Sequence, residues 1–157
     1  MNNDLMNYTE NDVIETESGI KGRMVYDLTM FDSTNTNMIC TIKAETMQEK
    51  KHLYNALQNA TGRMDDILNI PFDLKDVIIH PVQIVDNKTG EVEDVLRTVL
   101  IDKDGSSYEG VTMGILTSLK RIFDIFGRPE TWEEPLTVKL VKRDTKNGNK
   151  MTTIELV

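Results

Sequence analysis

A chain of 157 residues is one ordinary domain, and at that size folding buries roughly 70% of the surface the unfolded chain exposes, so no metal or disulfide is required. One cysteine, Cys40, rules out an internal bridge and gives no sign of an oxidising compartment. The net charge of −8 argues at first sight against a polyanionic partner, because phosphate contacts need Lys and Arg.

Residues 1–19 carry five acids and no base and lack an apolar core. They read as a disordered acidic tail and not as a signal peptide, leaving 20–157 as the folded domain. No apolar run approaches the ~18 residues of a membrane span, so a soluble, cytoplasmic protein is expected.

Ile20 to Phe31 is extended in character, with Met24, Tyr26, Leu28 and Met30 on one face. Asp32–Asn37 is turn material, and β-branched Ile39, Thr41 and Ile42 predict a second strand from Met38 to Ala44. Thr46-Met47-Gln48-Glu49 fits a capping box. The helix it starts carries Leu53, Leu57 and Ala60, with Tyr54 expected in the core beside them, and Gly62 as its stop.

A strand from Asp76 to Asp86 follows, where Pro81 signals an edge or a bulge. Turns at Asn87–Gly90 and Asp102–Gly105 then make a three-stranded meander through Val92–Ile101 to a short strand at Tyr108. Met113 to Phe126 predicts a second helix with a broad apolar stripe that includes Phe123 and Phe126. The last hairpin alternates, with Leu136, Val138, Leu140, Ile154 and Leu156 pointing inward and Asn147-Gly148 in its turn. About seven short strands and two helices suit a mainly β, OB-fold-like barrel, closed or partly closed.

Catalytic and metal signatures are missing from the sequence. His52 and His80 lie in no metal-ligand spacing with Cys40 or the acids. Asp102-Lys103-Asp104-Gly105 lacks the third oxygen ligand and the distal Glu of a calcium loop, and reads as a hairpin turn. Acid pairs such as Asp65-Asp66 and Glu133-Glu134 have no nucleophile or base beside them, and no phosphate-binding glycine loop occurs. The chain is expected to bind and not to catalyse, without a cofactor.

The charge is uneven along the sequence. Residues 136–157 carry Lys139, Lys142, Arg143, Lys146 and Lys150 against Asp144 and Glu155. Local charge decides where an anion sits, and a basic finger beside a barrel suits a phosphate backbone. The same pattern also arises where lysines protect an edge strand from aggregation. Single-stranded binders add aromatic rings for base stacking, and here Tyr26, Phe31, Tyr108 and Trp132 are the candidates in strands or connections.

Tyr108-Glu109-Gly110-Val111, the helix Leu116–Phe123, Phe126-Gly127-Arg128-Pro129 and the basic hairpin LTVKLVKRDTKNGNK together resemble the single-stranded DNA-binding proteins of small tailed phages and Gram-positive mobile elements. The resemblance is strongest from Val92 to Val157 and looser from Gly22 to Leu57. It implies an OB-fold that coats single strands during replication with little sequence preference, often as a dimer. Such proteins often end in an acidic tail that recruits replication partners; here the acidic tail is N-terminal. The competing expectation is an acidic interaction factor that inhibits or recruits a host enzyme.

Overall fold

A computed structural model describes residues 37–157 in full, together with the backbone of two earlier strands, β1 (Ile14–Glu15) and β2 (Lys21–Met24). The acidic segment 1–19 other than β1, the expected strand beyond Met24, and the candidates Tyr26 and Phe31 lie outside the described residues.

Among the described residues the chain continues as β3 (Ile39–Cys40), α1 (Met47–Gln58), β4 (Gly62–Arg63), β5 (Phe72–Val85), β6 (Val92–Asp102), β7 (Ser107–Gly110), α2 (Met113–Phe126), β8 (Leu136–Asp144) and β9 (Lys150–Leu156). The sheet runs β1-β2-β5-β6-β7-β4, all antiparallel except the β4–β7 pair, with β3 and β8 also on β5 and β9 on β8. It curls into a half-barrel carrying two helices, the OB-like, mainly β architecture expected.

The 14 residues of β5 organise the sheet. One edge pairs with β6 from Leu74↔Asp102 to Val85↔Val92. The other is shared by β8 at Phe72–Leu74, β3 at Ile78–Ile79 and β2 at Ile84–Val85. Pro81, which has no N–H to give, pairs with Leu96 of β6, and on its other side no strand among the described residues faces it between β3 and β2. The bulge lies elsewhere, between Leu74 and Asp76. It lets Leu74 and Val77, three residues apart, face the same core.

That core is the barrel interior, where Leu74, Val77 and Leu100 meet Ile115 and Leu119 of α2 and Val138 and Leu140 of β8. The opposite face of the same sheet is buried too, with Ile78, Val99 and Ile101 packed under Ala56, Leu53 and Leu57 of α1. Each fully buried Leu, Ile or Val contributes about 1.5–3 kcal/mol relative to exposure.

Helix α1 starts as the capping box predicts: Thr46 Oγ1 accepts from the Glu49 amide at 3.1 Å, and Glu49 Oε1 from the Thr46 amide at 3.0 Å. It ends at Gln58, and Gly62 opens β4 instead of stopping the helix. Its buried stripe is Leu53, Ala56 and Leu57 at i, i+3 and i+4. Tyr54 lies about 100° round the helix from Leu53 and is exposed, not in the core as expected. Phe123 packs against the core, but Phe126, the last residue of α2 and expected on the same stripe, is 45% exposed and lies outside it. The strand expected over Met38–Ala44 shrinks to Ile39–Cys40. Thr41 Oγ1 turns to donate to Asp76 Oδ1 (2.8 Å) and accept from the Val77 amide (2.9 Å). No helix among the described residues is long and apolar enough to cross a membrane.

Two contacts fix the layers. Helix α2 covers the free edge of β9, where the Ile154 amide donates to Ser118 Oγ at 3.1 Å. The approach is so close that a Cβ on Gly114 would collide with the Thr152 carbonyl and Met151 Cγ. On the α1 side of the sheet, Arg97 pairs with the nearly buried Glu109, its Nε donating to Oε2 at 2.8 Å, and its Nη1 lies 3.1 Å from His80 Nε2. Arginine only donates, so His80 accepts at Nε2 and stays neutral. Burial first, then the Arg97 charge, push its pKa down to about 4.

Gly114→Ala would gain about 1 kcal/mol from helix propensity alone. The collision reverses the sign, and chemical denaturation is expected to show a net loss of about 1–3 kcal/mol. His80 gives a pH dependence. The unfolded chain takes up its proton near pH 6.5 and the folded chain only near 4. This contribution is therefore complete above about pH 6.5 and declines as the pH falls towards 4. Solvent screening of the partly exposed ring limits the loss to about 1–2 kcal/mol. Urea midpoints measured across that window should fall more steeply for wild type than for His80→Gln, which keeps an acceptor for Arg97 but does not titrate.

Candidate nucleic-acid interface

The β8–β9 ribbon is built by register and one turn. Seven pairs run from Val138↔Leu156 to Asp144↔Lys150. The Thr145 amide donates to the Asn149 carbonyl at 2.7 Å, and the Gly148 amide to the Thr145 carbonyl at 3.0 Å. Gly148 alone takes the positive φ, 79°, of the Asn-Gly turn. The loop is therefore a three-residue one closed by a left-handed glycine.

Pairing sorts the cations by face. Lys139 and Arg143 share the face of Val141, away from the barrel interior, and both reach Glu155: Nζ to Oε1 at 3.5 Å and Nη2 to Oε2 at 3.0 Å. Lys142 follows Val138 and Leu140 on the inner face, but it lies past the end of the core and is exposed. Lys150 stands opposite Asp144, and Lys146 sits in the turn. All five bases singled out from sequence thus lie on one ribbon. Lys142, Lys146 and Lys150 form no ion pair among the described residues.

Tyr108 stands beside the root of this ribbon. Its ring tilts at 55° against Phe72, centroids 6.1 Å apart, and Phe72 pairs with Val138 of β8. The next stretch back, Leu68–Asn69, is bonded to Leu140. A cavity of about 300 Å³ is lined by Ile67, Ile70, Pro71, Phe72 and Tyr108 and by the turn residues Asp102, Lys103 and Asp104. Asp73 lines it as well, and two of its three acids are engaged. Asp73 takes the Thr137 hydroxyl at 2.7 Å and the Lys103 ammonium at 3.0 Å, which hold its carboxyl below the usual range. Asp102 accepts the Asp104 and Ser106 amides of its own turn.

Trp132 lies at the other end of β8, before Leu136. Its indole N–H is shared between the carbonyls of Phe126 (3.1 Å) and Gly127 (2.9 Å), and its ring packs partly against the core. The cleft it lines, about 590 Å³, is acidic: Glu49, Asp76, Glu130, Glu133 and Glu134 face only Lys43, Lys75 and His52 among its charged or titratable groups. Tyr108 thus packs on Phe72, the β5 partner of Val138 in β8, while Trp132 lines the acidic cleft.

One ring escaped the sequence reading. Tyr54 is 62% exposed, the most open aromatic among the described residues. The signal was present in Met47, Lys50, Lys51 and Tyr54 at i, i+3, i+4 and i+7, a polar-face spacing set against the apolar one. Among the described residues no three His, Cys, Asp or Glu side chains converge as a metal site.

Neither the curated proteins nor the solved structures contain a match to this chain. A family model, Phage Single-stranded DNA-binding protein of the Phi29 type, matches residues 32–157. That span contains α1, the half-barrel from β3 onward and the whole basic ribbon, so the chain belongs to the Phi29-type phage single-stranded DNA-binding proteins and binds single-stranded DNA.

Proposed function

We propose that the protein coats single-stranded DNA without sequence preference during phage or mobile-element replication in the host cytoplasm. The β8–β9 ribbon would track phosphates and Tyr108 would offer a stacking surface at its root. The observation that carries this reading is the trio Lys142, Lys146 and Lys150, without an ion-pair partner among the described residues and gathered towards one ribbon tip of a chain whose net charge is −8. Lys139 and Arg143, shared with Glu155, are the nearer reserve of charge. Trp132, tied down among acids, is left outside the proposed interface. Tyr26 and Phe31 remain candidates from sequence alone.

The acidic segment 1–19 is proposed as the element that recruits replication proteins, and a homodimer as the coating unit. The terminal acids would repel the nucleic acid and so keep the segment available to protein partners.

Polarisation titrations of labelled oligo-dT at two salt concentrations, beside a duplex of equal length, test the interface. Single strands should bind more tightly, and affinity should fall with salt by roughly 0.7 log units per log unit of salt for each phosphate neutralised. Replacing Lys142, Lys146 and Lys150 by Ala should flatten that slope by about 2. Equal affinity for duplex, or an unchanged slope in the triple variant, contradicts the assignment. Deleting residues 1–19 should leave oligo-dT affinity equal or higher; a loss would show that the tail contributes to DNA binding.

A further inference from the structure

The solvent face of α1 carries an arrangement that the ribbon does not use. Met47, Lys50, Lys51 and Tyr54 form one stripe along the helix, on the side away from the Leu53, Ala56 and Leu57 that pack on the sheet. The stripe rises about 10 Å, and a shallow depression of about 320 Å³ is lined by these four residues and Asn55. Single exposed apolar side chains are ordinary. Here the open ring adjoins a second exposed apolar group, Met47, and two cations.

The charge of the stripe runs against that of the chain. The one acid of α1, Glu49, is spent on the N-cap. Lys50 and Lys51 form no ion pair among the described residues. A protein at −8 thus presents, on one helical face, two ammonium groups beside an uncovered π surface.

We infer that this stripe is a second contact for single-stranded nucleic acid, in which a base stacks on Tyr54 and the adjoining phosphates meet Lys50 and Lys51. The inference rests on the single-strand coat proposed above. A ring that stands free on a helix needs a partner with a free face. Bases within a duplex already have both faces stacked, whereas unpaired bases do not. Stacking of this kind tolerates any base, and flexible ammonium groups fix no register of their own. An acidic protein segment would satisfy the lysines but leave the ring without a flat partner.

The test uses the full chain and oligo-dT carrying 5-iododeoxyuridine, which cross-links to stacked aromatic rings on illumination. Mass mapping should find the cross-link on Tyr54. In polarisation titrations Tyr54→Ala should weaken oligo-dT binding about five- to hundred-fold, Tyr54→Trp should restore it, and melting should match wild type because the ring is exposed. Lys50→Ala with Lys51→Ala should flatten the salt slope by about 1.

If wild type binds oligo-dT but these variants titrate like it and no cross-link maps to α1, the second contact is wrong and the coat stands. Failure of wild type to bind oligo-dT removes the coat itself. Unchanged DNA binding with altered sedimentation of Tyr54→Ala would assign the stripe to a protein contact and overturn the inference.

Discussion

Strand β5 has to satisfy backbone donors and acceptors along two edges while burying side chains on two faces. Buried backbone groups left unpaired are costly, so its second edge is shared among three different strands, and Pro81, which has no N–H, sits between the stretches held by β3 and β2. Both faces are filled, Val77 against the barrel interior and Ile78 against α1. The same strand carries the basic ribbon, because β8 joins the sheet through Phe72–Leu74. A rigid strand thereby holds the root of an otherwise exposed hairpin. Helix α2 secures it from the far side by capping the β9 edge at Ser118 and Gly114.

Covering that edge matters for a protein of this kind. An unpaired strand bordered by Ile154 and Leu156 would be a template for another chain. With α2 laid on it, the ribbon projects by its lysine-rich tip, which self-repels. The charges are partitioned accordingly. Acids gather in the cleft around Trp132 and in the N-terminal sequence, while three lysines of the ribbon have no ion-pair partner among the described residues. Glu155 holds Lys139 and Arg143 against the strand and reduces the ribbon's local repulsion. Long-range steering by the whole molecule is weak at physiological salt, where the screening length is about 8 Å. Local geometry then decides where a phosphate can rest.

The sequence made much of this legible, and the exceptions have physical causes. The capping box of α1, the meander turns, the inward alternation of β8 and the basic ribbon are local signals, and each appears where expected. Phe72–Lys75 was missed as strand because the bulge breaks the period that marks one. Tyr54 was placed in the core because a ring beside Leu53 looks like part of the apolar stripe. Only the packing of Ala56 and Leu57 on Ile78, Val99 and Ile101 fixes the stripe's centre. The role of Gly114 was invisible for a related reason, since a close approach between α2 and β9 leaves no trace in either segment alone. Of the proposed site, the cations were readable from composition. The indirect link from Tyr108 through Phe72 to Val138 of β8 was not, because Phe72 and Val138 stand 66 positions apart in the chain.

A low sequence preference follows from the kind of groups the proposed interface offers. Base identity is read by groups held rigidly against base edges, whereas phosphate contacts position a strand without reading it. Lys142, Lys146 and Lys150 end in point charges on flexible stems, and none is fixed by a partner among the described residues. Arg143, the one planar fork on the ribbon, is engaged by Glu155 and so is not held ready for bidentate recognition of a guanine. Tyr108 contributes a ring, and every base has a face to place against it. In the proposed interface, flexible cations therefore favour contact along the strand's length over discrimination between bases.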